Sequence, residues 1–67
     1  VSFKKGDKVV LLVDYGLYVA RKGTIHTVNY VMDERNLGMI MLVGWTFGVN
    51  PFNIRKAIEM ELALEGL

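Results

Sequence analysis

Side chains able to do covalent or acid–base chemistry are sparse in this 67-residue chain. A hydrolytic triad needs a nucleophile, a base and an orienting group held within hydrogen-bond reach. Only Ser2, near the start of the sequence, and His26, its single histidine, offer themselves. Asp33-Glu34 supplies two carboxylates, but neighbours in a polar turn are solvated rather than poised for proton transfer. Gly44 and Gly48 lack the following lysine and helix that a phosphate cradle requires. With no cysteine, disulfides and thiolate metal sites are ruled out, and His26 has no second histidine with which to share a metal. The chain therefore reads as a non-catalytic protein with no cofactor.

Binding chemistry is better represented. Residues 14–22 mix Tyr15, Leu17, Tyr18 and Val19 with Arg21 and Lys22, and this stretch is too long for a tight hairpin. It reads as an excursion loop, the kind of segment that carries contact residues on a rigid scaffold. The alternative is that its tyrosines only pack over one end of the fold, burying their rings and keeping their hydroxyls wet. Trp45 and Phe47 offer a stacking platform for bases, although core positions are the favoured reading. His26 is either ligand-facing or, as the favoured reading, a structural strand histidine. Met39 and Met41 suit an adaptable contact surface or a forgiving core.

The elements that must position these residues follow from hydrophobic period and turn chemistry. Lys5-Gly6-Asp7-Lys8-Val9-Val10 and, 17 residues on, Lys22-Gly23-Thr24-Ile25-His26-Thr27-Val28 each run from a polar glycine turn into β-branched residues. Residues 8–13 form the first strand, apolar on both faces and so covered on both. Residues 23–32 form the second. Its Ile25, Val28 and Val31 recur every three residues, which calls for a bulge near Thr27. A polar turn at 33–36 leads to a third strand over 37–43 and a fourth over 45–49, with Trp45, Phe47 and Val49 on one face. Asn50-Pro51 marks a turn. Phe52 to Lys56 reads as a 3₁₀ turn or short fifth strand, with a helix from about Ala57. The apolar stripe is Ile54, Ala57, Ile58 and Leu62, widened by Met60, Leu64 and Leu67. Arg55 and Lys56 early and Glu61 and Glu65 late oppose the helix dipole, so packing rather than capping must hold this tail.

Composition bounds the rest. One domain of this length buries only about 60% of its unfolded surface. Yet 52% of the residues are hydrophobic, so some apolar surface is expected to meet another subunit or the C-terminal segment. Residues 37–54 carry no formal charge, but glycines, asparagines and Pro51 break the run, and its apolar part is too short to span about 30 Å as a helix. No membrane association and no signal peptide are expected. The overall charge is +1, divided unevenly: residues 1–56 carry +4, whereas residues 57–67, with Glu59, Glu61 and Glu65, carry −3.

On these two turns and on Gly38-Met39-Ile40-Met41-Leu42, residues 3–56 resemble the short SH3-like barrel proteins common in phages and prophages. Their pattern is Gly-Asp-x-Val-Val, a variable loop, Lys-Gly-x-Ile-Tyr-Thr-Val, a turn and a closing strand. His26 stands in place of the tyrosine. The resemblance implies an all-β, five-stranded SH3-like barrel over residues 1–56; the apolar stripe of the tail adds a short C-terminal helix, 57–67, expected to pack on it as one domain. The same stretch is also similar to KOW modules, the SH3-like barrels of transcription elongation factors and some ribosomal proteins. Gly16, Gly23, Ile25 and Val28 meet the KOW spacing, while Ala20 sits where a further glycine is frequent.

The leading expectation is a phage- or mobile-element-encoded module in the bacterial cytoplasm that contacts a host or phage protein through Tyr15, Leu17, Tyr18, Arg21 and Lys22. A KOW-like alternative binds RNA or DNA, with Lys4, Lys5, Lys8, Arg21 and Lys22 on phosphate and Tyr18 stacking. A structural alternative is a homodimer joined through Ile58, Met60 and Leu64 of the tail.

Overall fold

A computed structural model of the protein describes residues 2–16, 20–32 and 38–65. Five strands, β1 (Lys8–Leu11), β2 (Ile25–Val31), β3 (Ile40–Leu42), β4 (Gly48–Val49) and β5 (Ile54–Lys56), are followed by the helix α1 (Glu59–Glu65). A 3₁₀ turn, Pro51–Asn53, joins β4 to β5. All neighbouring strands are antiparallel, in the order β4-β3-β2-β1-β5. The all-β class with a short terminal helix is as expected. The sheet is open rather than a closed barrel, with β4 and β5 at its two edges.

The two lysine–glycine turns set the register of the central pair. Gly6 and Gly23 adopt φ of 92° and 91°, a backbone that side chains with a Cβ rarely tolerate. The Gly6 amide donates to the Val28 carbonyl, and the Gly23 amide donates to the Leu11 carbonyl. The turns therefore clamp opposite ends of the β1–β2 ladder, which pairs Lys8 with Thr27 and Val10 with Ile25.

Sequence periodicity calls for a bulge near Thr27, and the irregularity lies between Val28 and Tyr30, where two steps along β2 oppose one step along β3. Asn29 is the extra residue. Val28 thereby stays in the core while Val31 emerges 41% exposed.

The core comprises Val9, Leu11, Val28, Ile40, Leu42, Val49 and Ile54, with at least one residue from every strand. Val10, on the opposite face of β1 by alternation, is buried too. The expected double cover of this strand is thus present over its ladder. The strand stops at Leu11 rather than at Val13. The Leu12 amide turns to the Asn53 carbonyl, and Leu12 and Val13 are exposed.

β3 and β4 are shorter than expected. Trp45, Thr46 and Phe47 lie in the turn that begins at Gly44 (φ 83°), and only Gly48 and Val49 join the sheet. Gly48 permits a close approach: a Cβ there would come within 3.0 Å of the Met39 Cβ and 3.1 Å of the Met32 methyl.

The tail departs from expectation in two ways. Ile54 belongs to β5 and to the core, so it is not part of the helical stripe. As expected, Arg55 and Lys56 lie in a short fifth strand, β5, which leaves Glu59 and Glu61 in the first turn of α1, where acids complement the dipole. Capping does hold this segment. Glu61 accepts from the Ile58 amide at 2.9 Å, one half of a capping box, and takes a two-pronged bond from Arg55 at 2.8 and 2.7 Å.

These contacts, Arg55 first and the Ile58 amide second, pull the Glu61 carboxyl down to about 2. A depressed carboxylate stabilises the fold fully above its unfolded value and loses that contribution as pH falls through the folded one. Attachment of α1 should therefore be complete above about pH 4.5 and lost on acidification through about pH 2. NMR of the Ile58 amide against pH checks this. Glu61→Gln should remove the acid transition at Ile58, and a variant retaining it unchanged would contradict the assignment.

Candidate functional site

At the end of the sheet where the Tyr15–Ala20 loop, the Gly44 turn and the 3₁₀ turn meet, four rings form one cluster. Trp45 is its hub, with ring centroids 5.5 Å from Tyr15, 5.1 Å from Phe47 and 5.2 Å from His26. Tyr15 and His26 meet it nearly edge-on, at 72° and 78°. Tyr15 and Phe47 complete the set at 6.1 Å. These spacings lie in the favourable range for aromatic pairs, each worth about 0.5–1.5 kcal/mol beyond burial.

Hydrogen bonds hold Tyr15 and Trp45 in place. Tyr15 and Ala20 exchange N–H···O bonds of 2.9 and 3.2 Å, so the base of the excursion loop is pinned. The Tyr15 hydroxyl accepts from the Asn53 amide group at 2.9 Å. Asn53 is itself fixed, because its backbone N–H bonds to the Asn50 carbonyl and its carbonyl receives Leu12. Asn50 caps the 3₁₀ turn by accepting from the Phe52 amide. The Trp45 amide donates to the Leu42 carbonyl, tying the turn to β3.

His26 sits on β2 as a half-buried residue. The Thr24 hydroxyl spends its one proton on the Arg21 carbonyl at 2.7 Å, so at its 2.8 Å contact with His26 it accepts. The imidazole proton is therefore assigned to Nε2. That bond and the Trp45 contact make His26 a structural support of the cluster.

The cluster has a buried side and an exposed side. Tyr15 and Trp45 are half-buried and pack against the core, whereas Phe47 is 41% exposed. Leu12 and Val13 are also exposed along the adjoining segment. Trp45 and Phe47 are thus not interior residues of a fourth strand, and the core placement of Phe47 is corrected.

The other candidate residues are distributed as follows. Arg21 and Lys22 are exposed, and the Lys22 amide bonds to Asp14 Oδ1 at 2.6 Å, next to Tyr15. Leu17 and Tyr18 lie outside the described residues, as do the Asp33-Glu34 pair and Leu67. Lys4, Lys5 and Lys8 are exposed, with Lys8 Nζ donating to Thr27 Oγ1 at 2.6 Å. Ile58, Met60 and Leu64 on the tail are 58%, 70% and 63% exposed. Tyr15, Arg21 and Lys22 are therefore gathered at one loop base, while Glu61 and Leu64 of α1 line a pocket with Gly23, Thr24 and Ile25.

Among the described residues no group of three or more His, Asp or Glu side chains could hold a metal ion. No described helix is long and apolar enough to cross a membrane. No family model, curated protein or solved structure matches the chain.

Proposed function

We propose that the chain is a non-catalytic binding module that docks on a protein through Tyr15, Trp45 and Phe47, with Arg21 and Lys22 at the edge of the contact. The observation that carries this reading is the ring cluster itself. Three aromatic side chains share one patch, held from behind by the core and by Asn53, with Phe47 left open to solvent. Tyr and Trp in pre-positioned clusters are the side chains that dominate protein interfaces, because they bring large area at little entropic cost.

Charge favours a protein over a nucleic acid as the ligand. Net charge is +1, and two of the cations already face acids: Arg55 meets Glu61, and Lys56 lies 3.7 Å from Asp7. A net charge this low gives the chain little overall attraction for phosphate, whose neutralisation dominates nucleic-acid affinity.

The SH3-like reading belongs to this proposal. The strand order β4-β3-β2-β1-β5 and the 3₁₀ turn before β5 support it. The partner is then a host or phage protein met in the bacterial cytoplasm, with the gene carried by a phage or mobile element.

A second reading rests on the same rings. Exposed aromatics beside Arg21 and Lys22 also suit single-stranded RNA or DNA, with bases stacking on Phe47 and the cations meeting phosphates. Affinity capture from bacterial lysate decides between them. The protein reading expects one stoichiometric protein that survives nuclease treatment and about 0.5 M salt, where phosphate contacts fail. Recovery of nucleic acid alone, lost as salt rises, would overturn it in favour of the second reading.

A further inference from the structure

On the docking reading above, we propose that the segment of the partner that binds here is acidic. Its carboxylates meet Arg21 and Lys22, and an uncharged stretch beside them lies over Trp45 and Phe47.

The backbone that carries the two cations is fixed against the ring cluster. Ala20 exchanges both main-chain hydrogen bonds with Tyr15, and Arg21 follows it directly. The Arg21 carbonyl accepts from the Thr24 amide at 3.2 Å and from the Thr24 hydroxyl at 2.7 Å, and the Lys22 amide donates to Asp14 Oδ1 at 2.6 Å. The side chains are left outside these bonds. Both residues are exposed, and neither the Arg21 guanidinium nor the Lys22 ammonium has a hydrogen bond or an ion pair among the described residues. Arg55 and Lys56, by contrast, already face Glu61 and Asp7.

The rings add neutral donors to the same patch. The Tyr15 hydroxyl accepts from Asn53 Nδ2, which leaves its own proton to give. The Trp45 indole N–H can only donate, and it has no acceptor among the described residues. It is not sealed from solvent, because every buried side-chain nitrogen or oxygen among the described residues has a hydrogen-bond partner. Two cations, a hydroxyl proton and an indole N–H on one patch call for a ligand rich in acceptors.

The placement of charge selects carboxylates over a phosphate backbone. In residues 12–22 the charged side chains are Asp14, Arg21 and Lys22, and residues 37–54 carry none. Among the segments that build the patch, cations therefore stand on the loop side only, with Asp14 beside them. A nucleic-acid strand repeats its charge at every nucleotide, so it would carry phosphates past Asp14 and over the uncharged Gly44 turn with no counter-charge. A peptide places one or two carboxylates opposite Arg21 and Lys22 and turns an uncharged face to Phe47. The planar Arg21 guanidinium suits a two-pronged bond to such a carboxylate.

Selection of a random peptide library against the purified full chain tests this, with the enriched consensus synthesised and its affinity read from Trp45 emission. The expected consensus carries Asp or Glu to one side of an uncharged stretch. Reversing both cations, Arg21→Glu with Lys22→Glu, should weaken that peptide about tenfold or more while leaving the far-UV spectrum unchanged. A fresh selection against this double variant should then enrich Lys or Arg in place of the acids, and Phe47→Ser should weaken the original peptide as well. Peptides that need Phe47 but show no acidic preference would overturn the acidic ligand and leave the docking reading standing. Peptides indifferent to Phe47→Ser would overturn the docking reading itself. A library that yields no enriched peptide would overturn the proposal, and so would a single-stranded oligothymidylate that shifts Trp45 emission where no acidic peptide does.

Discussion

Leu42→Ala should lower the thermal midpoint by at least about 10 °C. Leu42 is fully buried on β3, in a core cluster of seven among the described residues. Removing a buried leucine side chain costs about 2–5 kcal/mol, because transfer energy is lost and the cavity collapses only in part. A single core in a domain this short supplies no more than about 3–5 kcal/mol of net stability. One substitution is therefore comparable to the whole, and the variant should be largely unfolded at 37 °C by circular dichroism. Leu12→Ala is the control. Leu12 neighbours the core strand but is already 37% exposed, so its midpoint should fall far less. Equal effects at the two positions would mean that the core is not where the burial places it.

Phe47→Ser should abolish capture of the protein partner while leaving the fold intact. The ring is 41% exposed and contributes to the cluster through Trp45 and Tyr15 rather than through the core. Aromatic residues at the centre of an interface cost about 2 kcal/mol or more when truncated, which is about thirtyfold in affinity. An unchanged far-UV spectrum together with lost capture is the expected pair of results. Capture that survives Phe47→Ser but fails with Lys4, Lys5 and Lys8 changed to Gln would move the binding surface to the basic N-terminal segment.

Much of the scaffold was legible from residue types. β-Branched runs after Gly6 and Gly23 placed β1 and β2, and the three-residue spacing of Ile25, Val28 and Val31 announced the bulge that Asn29 supplies. Asn50-Pro51 announced the 3₁₀ turn, the short β5 and the later helix start. Strand ends were not legible, because a run such as Leu11-Leu12-Val13 stays apolar past the point where its backbone partner changes. The partner facing Leu12 is Asn53, 41 positions away in the chain, which lies in the 3₁₀ turn rather than in β5.

The same non-locality hid the site. Trp45-Thr46-Phe47 alternates like a strand, and three residues cannot distinguish a strand from a turn opened by a positive-φ glycine. Tyr15 joined the candidate residues through its loop, but its contact with Trp45 depends on how β1, β3 and the 3₁₀ turn converge. The nearest sequence signal was the pair of glycines, Gly44 and Gly48, that bracket the two rings. On the tail, the cap that Glu61 provides was not legible, because it depends on Arg55 of β5 and the Ile58 amide converging on one carboxylate.

Trp45 is the only tryptophan, so its fluorescence reports on the cluster without a label. Titration of the chain with the protein it captures should shift the emission to shorter wavelength and protect it from acrylamide, with both changes absent in Phe47→Ser. Emission and quenching that stay unchanged at saturating partner would contradict the placement of the binding surface on Tyr15, Trp45 and Phe47.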